Sequence, residues 1–372
     1  MKVVSFLLLA ACGGGTPAGI DSAVAGDIGG ALDALVDAPP GPLVCGAGFC
    51  RLDQTCEQGQ CVFACSGTHV PGDYATIQGA VNALDGIGGT ICLGAQLYDE
   101  QIAFQATASP PNPLTIIGPS REQTTISDIV IPAGSAYDKV TMRGATVGRL
   151  AITRATIDAS FTGMRFGLDV SMTPLYIRSA GSVDVDGCEI AGPVTSVVAK
   201  TALYVGSDGL SPSTVRIANS WIHGVENLVQ LNPTTTPTNT EMKFELLNNT
   251  LVGTGAAMQT GIFVYADPYH RVALHYWNNL ITHTAVGVSI TSAGAPVQHS
   301  NNLLWANQSN YAGFAVQGPG YVLADPRLDT LAPPGPEPGS PALDATDKAR
   351  ATAIDFWGLP RGLHPTIGAV QR

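Results

Sequence analysis

Residues 244–251 read Phe-Glu-Leu-Leu-Asn-Asn-Thr-Leu, and residues 274–281 read Leu-His-Tyr-Trp-Asn-Asn-Leu-Ile. Each stretch is a strand, a turn residue and a second strand, and residues 183–190, 215–222 and 297–304 align with them. The turn residues lie 32, 29, 30 and 23 positions apart, which is the range that indicates a solenoid. Glycine and asparagine suit these bends because they tolerate left-handed backbone angles. The turn residues are Gly187, Asn219, Asn248, Asn278 and Asn301.

The alternation of side chains along a strand sorts the aligned positions into two faces. We predict that the position two before each turn residue points into the core. These positions hold Val185, Ile217, Leu246, Tyr276 and His299. We interpret His299 as a hydrogen-bonded core histidine, with a ligand role as the alternative. We also expect the stacked asparagines to hydrogen-bond from one turn to the next.

The composition favours the same fold class. Of the 372 residues, 43 are glycine and 26 are proline, and only 13% are charged. The small share of charged residues, with few Lys and Glu, argues against a helical protein. The 45% of hydrophobic residues excludes disorder over most of the chain. The net charge of −11, without a cluster of Lys and Arg, gives no electrostatic footprint for nucleic acid or for an anionic membrane.

The first residues carry an export signal. A basic flank precedes an apolar run at residues 3–11 that is too short to span a bilayer. Residues 9–12, Leu-Ala-Ala-Cys, resemble a bacterial lipobox, and an ordinary secretory signal is the alternative. The resemblance implies a signal peptide at residues 1–11 and a lipidated Cys12 that holds the protein on a membrane. By the same resemblance, Gly13 favours the outer membrane, with the protein periplasmic or exposed on the cell surface.

Residues 12–44 are predicted to be a flexible acidic tether, since after Cys12 they contain no Lys, Arg or aromatic residue. Residues 45–65 form a cysteine-rich module, and export makes disulfides the expected state. We expect four cysteines to staple this module, Cys65 to pair with Cys92, and Cys188 to be a buried free thiol. Other pairings and a zinc site stay open. The predicted disulfide cysteines are Cys45, Cys50, Cys56, Cys61, Cys65 and Cys92.

A short amphipathic helix is predicted within residues 76–84, with Ile77, Ala80, Val81 and Leu84 on one face. Strand-like stretches follow at residues 89–93, 114–118 and 124–126. This order resembles the N-terminal cap and first turns of right-handed parallel β-helix proteins with the pectin lyase-like fold. The resemblance implies an all-β, single-stranded right-handed parallel β-helix over residues 66–323, with a short N-terminal capping helix. An unrelated β-sandwich is the alternative.

The carboxy-terminal residues 324–372 are rich in Pro and Gly. Ala-Asp-Pro-Arg-Leu at 324–328 and Pro-Gly-Ser-Pro-Ala-Leu-Asp-Ala at 338–345 resemble the choice-of-anchor Q ending of bacterial surface β-helix proteins. We interpret this segment as a cap over the strand edges at the end of the solenoid. Residues 231–239 contain two prolines and are predicted to be a surface loop.

The position three before each turn residue is predicted to point outward. An acid, a base, an acid and an imidazole occupy it in successive turns. These positions hold Asp184, Arg216, Glu245, His275 and Gln298. The functional interpretation is a catalytic carbohydrate site formed by Asp184, Glu245 and His275 as acid–base groups and by Arg216, which faces an acidic sugar. An exposed Trp277 is its stacking platform. The structural alternative is a ladder of opposite charges on neighbouring strands.

Residues 265–271 form a second candidate ligand-binding site, because aromatic and charged residues surround a proline there. A plain surface turn is the alternative. The ligand-binding residues proposed in it are Tyr265, Asp267, Tyr269, His270 and Arg271. The remaining candidate is a Ca²⁺ site on Asp184, Asp186 and Glu189, although the full calcium loop is missing from the sequence. No other metal and no cofactor is predicted.

The catalytic blocks of pectin methylesterases and polygalacturonases are not found in the sequence. We therefore predict a lipid-anchored bacterial cell-surface protein, a non-catalytic monomer that binds polysaccharide or serves a surface interaction. The alternative is a polysaccharide lyase or other glycan-processing enzyme that acts on an acidic polysaccharide, and a structural coat protein is a third possibility. No nucleic-acid partner is expected.

Overall fold

The computed structural model describes most of the chain from residue 43 onward, in one compact unit. Cys12 and the tether residues before Leu43 lie outside the described residues. The described ranges are 43–46, 48–51, 53–104, 112–135, 137–167, 172–192, 201–206, 213–224, 227–232, 241–265, 271–292 and 296–371.

The described residues form one helix and many short strands. The helix is α1 (Ile77–Ala83). The strands are β1 (Leu43–Cys45), β2 (Gly48–Cys50), β3 (Thr55–Glu57), β4 (Gln60–Val62), β5 (Thr68–Val70), β6 (Gly89–Leu93), β7 (Leu97–Ala103), β8 (Leu114–Ile117), β9 (Thr125–Ile131), β10 (Lys139–Arg143), β11 (Thr146–Thr156), β12 (Asp158–Thr162), β13 (Arg165–Phe166), β14 (Leu175–Asp186), β15 (Glu189–Ala191), β16 (Thr201–Gly206), β17 (Ser213–Ala218), β18 (Trp221–His223), β19 (Asn227–Asn232), β20 (Glu241–Leu247), β21 (Thr250–Val252), β22 (Thr260–Val264), β23 (Arg271–Trp277), β24 (Leu280–Thr282), β25 (Val286–Ile290), β26 (Val297–Ser300), β27 (Leu303–Trp305) and β28 (Ser309–Gly313).

Strands β5 to β28 pair in parallel and coil into a β-solenoid of about 8 turns, which confirms the predicted fold class and excludes a β-sandwich. The solenoid has three walls. The first wall contains β5, β6, β8, β10, β12, the end of β14, β17, β20, β23 and β26. The second wall contains the starts of β7, β9 and β11, then β13, β15, β18, β21, β24 and β27. The third wall contains the ends of β7, β9 and β11, the start of β14, then β16, β19, β22, β25 and β28.

The registers of the first wall confirm the alignment of the repeats. Val185 pairs with Ile217, Ile217 with Leu246, Leu246 with Tyr276, and Tyr276 with His299. The four apolar residues are fully buried. His299 is partly buried, stacks on Tyr276 at 4.9 Å and hydrogen-bonds through Nδ1 to the Tyr321 hydroxyl at 2.8 Å. The stacking and the hydrogen bond confirm the interpretation as a hydrogen-bonded core histidine, and burial lowers the pKa of His299.

The predicted turn residues all adopt left-handed backbone angles, with φ between 50° and 62°. The hydrogen-bonded asparagine stack, however, is formed by the residues that follow them. Asn249 donates its side-chain amide to Asn279 Oδ1 at 3.0 Å, and Asn279 donates to Asn302 Oδ1 at 3.1 Å. The prediction that the turn asparagines themselves form the stack is wrong, because a left-handed turn residue points its side chain outward while its successor points in.

The helix α1 lies within the predicted residues 76–84, which confirms its position. Thr76 caps it by accepting a hydrogen bond from the Gly79 amide, and the Glu100 carboxylate accepts the amides of Ile77 and Gln78. The helix buries Ile77, Ala80 and Val81 over the first turns, and Leu84, which follows it, is partly buried against the same core. This helix, the one helix in the described residues, is not long and apolar enough to cross a membrane.

Three disulfides staple the N-terminal region as predicted. Cys45 bonds to Cys56, Cys50 to Cys61, and Cys65 to Cys92. The first two close the hairpins β1–β2 and β3–β4 on each other, and the third ties the module to β6. Cys188 is a buried free thiol, and burial raises its pKa to about 12.

Residues 344–371, which we call the strap, lie along the side of the solenoid over the turns that follow the first wall. Asn301 donates to the Ala345 carbonyl, Asn278 accepts the Asp347 amide, and Asn248 accepts the Thr352 amide. The end-cap interpretation is therefore wrong for this part of the segment. The side-chain amides of the turn asparagines point out along one edge of the solenoid, and the strap supplies hydrogen-bond partners for them.

Two further features are the segment predicted as a loop at residues 231–239 and the cover of the last turn of the solenoid. Leu231 and Asn232 belong to β19 rather than to a loop, and residues 233–239 lie outside the described residues. The last turn of the solenoid is covered by residues before the strap. Val322 pairs with Leu303, and the Tyr321 hydroxyl accepts a hydrogen bond from Asn302.

Candidate functional site

The outward positions on the first wall form one column, as predicted. Asp184 lies beside Arg216, Arg216 beside Glu245, Glu245 beside His275, and His275 beside Gln298. We call these five residues the charged column. Since neighbouring strands lie about 4.8 Å apart, the column offers one polar side chain at each such step.

Ion pairs link the charged column along the wall. The Nη1 atom of Arg216 lies 2.6 Å from Asp184 Oδ1, and the Nδ1 atom of His275 lies 3.6 Å from Glu245 Oε1. Lys243, which the sequence analysis did not select, places its Nζ atom 2.7 Å from Glu245 Oε1. Lys243 lies two positions before Glu245 on β20, and the alternation of faces was a signal that could have found it.

The protonation of Glu245 limits its chemistry. Partial burial opposes ionisation, but the Lys243 ammonium and the His275 ring outweigh it and hold the pKa of Glu245 below its usual range. At neutral pH this group is a carboxylate that accepts hydrogen bonds. A general acid needs a raised pKa, so Glu245 does not have the protonation state for that role.

The His275 side chain contacts Glu245 and lies near Trp277. Its Nδ1 atom is buried 3.6 Å from Glu245 Oε1, just beyond hydrogen-bond distance, and the side chain is 15% exposed. The ring lies 5.1 Å from that of Trp277.

Trp277 is not an exposed platform, and this prediction is wrong. Its side chain is only 5% exposed, and the guanidinium of Arg350 in the strap packs over the ring at 4.5 Å. In the next turn, Ser300 donates a hydrogen bond to Asp347 of the strap at 3.2 Å. The strap therefore covers Trp277 and Ser300, which stand one position before turn residues. In the column three positions before the turn residues, Asp184 and Arg216 are 42% and 31% exposed, and Glu245 and His275 are 17% and 15% exposed.

The second candidate site is described only in part. Tyr265 is 49% exposed after β22, and Arg271 begins β23. Asp267, Tyr269 and His270 lie outside the described residues. The prediction of a ligand-binding loop therefore stays a prediction.

The three residues proposed for Ca²⁺ point to different partners. Asp184 pairs with Arg216, Asp186 accepts a hydrogen bond from Asn219 at 2.7 Å, and Glu189 lies on the second wall. Burial raises the pKa of Asp186. Among the described residues, the ligand-type atoms that do converge belong to disulfide-region cysteines, so these carboxylates do not form a cation site.

A polar cluster on the second wall was missed by the sequence analysis. Glu189 accepts a hydrogen bond from Arg165 Nε at 2.7 Å and contacts His223 Nε2 at 3.2 Å, and the His223 ring stacks on Trp221 at 3.8 Å. Burial opposes the charge of Glu189, but His223 and Arg165 outweigh it and lower its pKa to about 2. Glu189, Trp221 and His223 lie two or four positions after turn residues, and Arg165 aligns with Glu189 in the neighbouring turn. The same repeat could therefore have identified them.

An aromatic pair on the third wall was also missed. Tyr176 and Tyr204 are paired in register and stack with their centroids 4.8 Å apart and their planes nearly parallel. Both are half-buried, and Gln230 and Phe263 continue the column in the next turns. Because the rings cover each other's faces, the pair acts as a structural stack. The sequence intervals between these strands differ in length, so the repeat on this wall is hard to see in the sequence.

A scan against protein-family models, a search of the curated proteins and a search of the solved structures each found no match to this chain. The likenesses to pectin lyase-like proteins, to the choice-of-anchor Q ending and to lipoproteins are resemblances in sequence. What they imply about function is a matter for proposal and experiment.

Proposed function

We propose that this chain is a non-catalytic binding module of a lipid-anchored bacterial surface protein, and that its charged column binds a polysaccharide. The observation that carries the proposal is the in-register column of polar side chains from Asp184 to Gln298 on one flat wall. A rigid sheet holds these groups in fixed positions, which lowers the entropic cost of binding an extended ligand.

The chemistry of the column favours a polymer rich in hydroxyl groups. Donors and acceptors alternate from strand to strand, and the charges of Arg216 with Asp184 and of Lys243 with Glu245 cancel locally. The net charge of −11 repels a polyanion at long range. A neutral polysaccharide is not repelled and needs no net charge on the column, because its hydroxyls both donate and accept hydrogen bonds.

The carboxylates of the column favour binding over hydrolysis. Glu245 is held ionised by Lys243, and Asp184 is paired with Arg216 at 2.6 Å. A lyase needs only a base and a neutralising cation, and His275 beside Lys243 and Glu245 satisfies that minimum. The lyase is therefore the second candidate, and a turnover assay separates it from the binding module.

The lipid anchor is part of the proposal. The three disulfides fit an oxidising compartment, which supports export. We expect intact-mass spectrometry of the membrane fraction to find an acylated Cys12 at the N-terminus. An unmodified Cys12, or a chain that retains its first residues, would contradict this part of the proposal alone.

The binding proposal is tested on a glycan array with the full chain and two variants. We expect His275→Ala combined with Glu245→Gln to weaken binding by at least about tenfold, which is ~1.4 kcal/mol. The matched control is His364→Ala combined with Glu337→Gln, at exposed positions away from the column. Binding that is equal in both variants would place the ligand elsewhere.

The enzyme alternative is tested with the same proteins. The bound polysaccharide is incubated with the parent chain, and unsaturated products and new reducing ends are measured. Turnover that disappears in the His275→Ala variant would replace the binding module with the lyase. Binding without product formation supports the proposal.

A further inference from the structure

A cavity of about 290 Å³ lies where the disulfide module, the first turns of the solenoid and the strap meet. We propose that it binds a small hydroxylated carboxylate, of the chemical class of hydroxy acids and sugar acids. This site is independent of the charged column. Its principal lining residues are Arg51, Gln60, Arg121, Gln123, Phe356 and Trp357.

Arg121 is the first anchor of the site. Its side chain is 9% exposed, its Nε atom donates to Glu122 Oε1 at 2.9 Å, and its guanidinium packs over the rings of Phe356 and Trp357. Among the described residues, its two Nη atoms have no protein acceptor within hydrogen-bond distance. A guanidinium held this way presents a planar pair of donors, which matches the two oxygens of a carboxylate.

Arg51 supplies a second guanidinium. Its side chain is 8% exposed, and its Nη1 atom donates to the Phe356 carbonyl at 2.7 Å while its Nε atom contacts Asp53 at 3.3 Å. These contacts tie the disulfide module to the strap across the cavity. Two buried arginines at one cavity are costly in free energy unless anionic groups compensate them.

The protein compensates the arginines mainly from the rim. Glu122 is 59% exposed and lies between Arg121 and Arg165, whose Nη2 atom is 4.0 Å from its carboxylate. Asp53 is also partly exposed. Because these acids nearly balance the charge, a ligand would be bound by directed hydrogen bonds rather than by long-range attraction. Glu122 then competes with the ligand for Arg121.

The size and remaining lining define the class of ligand. A volume of about 290 Å³ lies at the lower end of the range for small-molecule sites, so the cavity suits a single small molecule rather than a polymer. Gln60 and Gln123 contact each other at the wall and offer neutral donors and acceptors, and Ser120 adds a hydroxyl. Neutral hydrogen-bonding groups beside two guanidiniums fit a carboxylate that also bears hydroxyls.

The test is isothermal titration calorimetry of the full chain with gluconate and glucuronate, with glucose and sulfate as comparators. We expect saturable binding of both acids, none of glucose and weaker binding of sulfate. Arg121→Gln should weaken binding of the acids by at least about tenfold. Glu122→Gln should strengthen it, because it removes the competing carboxylate. Arg149→Gln is the matched control, since Arg149 pairs with Asp128 on the third wall.

A variant that keeps the packing protects the test from a folding defect. Arg121→Lys retains the positive charge but loses the planar pair of donors, so it should also weaken binding. Circular dichroism checks the fold of each variant, and Arg121→Lys with Glu122→Gln decides the test if Arg121→Gln does not fold. The proposal is overturned if neither acid binds saturably, if glucose or sulfate binds as well as the acids, or if these two variants leave the affinity unchanged.

Discussion

The first and second walls of the solenoid carry ionisable side chains in the same turns but use them differently. On the first wall, Asp184 and Arg216 have side chains that are 42% and 31% exposed and pair with each other. On the second wall, the Glu189 side chain is 10% exposed, and the nearby strap places Arg361 at 2% exposure against Asn219. The exposed pair of Asp184 and Arg216 is available to a ligand, whereas Glu189 and Arg361 hold the protein together.

The physical reason is the difference in exposure to solvent. An exposed ion pair contributes little to stability because water and salt screen it. A buried polar group costs much more when its partner is lost. The difference predicts that substitutions under the strap change the free energy of unfolding, and that substitutions in the charged column change mainly binding.

The largest effect is expected for Arg361→Met. Arg361 donates hydrogen bonds to Asn219 Oδ1 at 3.0 Å and to the carbonyls of Gly368 and Ala369 at 2.8 and 2.9 Å. Removing it deletes several buried hydrogen bonds, each of which contributes ~0.5–1.5 kcal/mol, although Asn219 Oδ1 keeps the Thr352 hydroxyl and the Ala369 carbonyl keeps the Phe356 amide as donors. We therefore expect a loss of about 3 kcal/mol in the free energy of unfolding. Chemical denaturation measures this loss.

The strap should also loosen in this variant. Trypsin cleavage after Arg350 is expected to be faster in Arg361→Met than in the parent chain, because the strap is held less firmly. Arg327→Met is the control, since Arg327 is exposed and contacts only the Gly339 carbonyl through its side chain among the described residues. Equal stability of the two variants would show that the strap does not depend on this clasp.

A comparable effect, confined to acid, is expected for Glu189. Its pKa is lowered from 4.5 to about 2 in the folded protein. The stability it contributes is therefore fully present above about pH 5 and is lost as the pH falls towards 2, with a total of about 3 kcal/mol. In Glu189→Gln, the free energy of unfolding should fall less steeply over this pH range.

Urea denaturation at a series of pH values checks this prediction. Glu337→Gln is the control, because Glu337 is exposed and should leave the slope unchanged. If Glu189→Gln has the same pH dependence as the parent chain, the pairing of Glu189 with Arg165 and His223 does not stabilise the fold.

The smallest effect on stability is expected for Arg216→Ala. Its partner Asp184 is 42% exposed and can be hydrated when the guanidinium is removed. We expect a change below about 1 kcal/mol in the free energy of unfolding. A loss as large as that in Arg361→Met would contradict the distinction between this exposed pair and the buried groups of the strap.

Much of the fold followed from local patterns. The five turn residues, the inward column and the outward column were predictable because side-chain alternation and tolerance of positive φ act over a few residues. The pairing of Cys65 with Cys92 was predicted as a preference among several. Its confirmation depends on the register of β5 with β6, which brings the two segments together.

The accessible surface was harder to predict. Trp277 was assigned to an exposed platform because its strand alone places it outside the core. The strap residue Arg350, 73 positions later, covers it. Likewise, the turn asparagines bond to a segment as far as 142 residues away, as Asn219 does to Arg361.

The sequence by itself determined that the chain coils, which residues fill the core and which line up on the first wall, since a repeated pattern of apolar and turn residues is sufficient for that. Only the tertiary structure decided which outward residues stay in water, because the strap has no repeat of its own. Its contacts depend on where distant parts of the chain meet. The same holds for the cavity, whose two arginines belong to segments that are separate in sequence and adjacent only after folding.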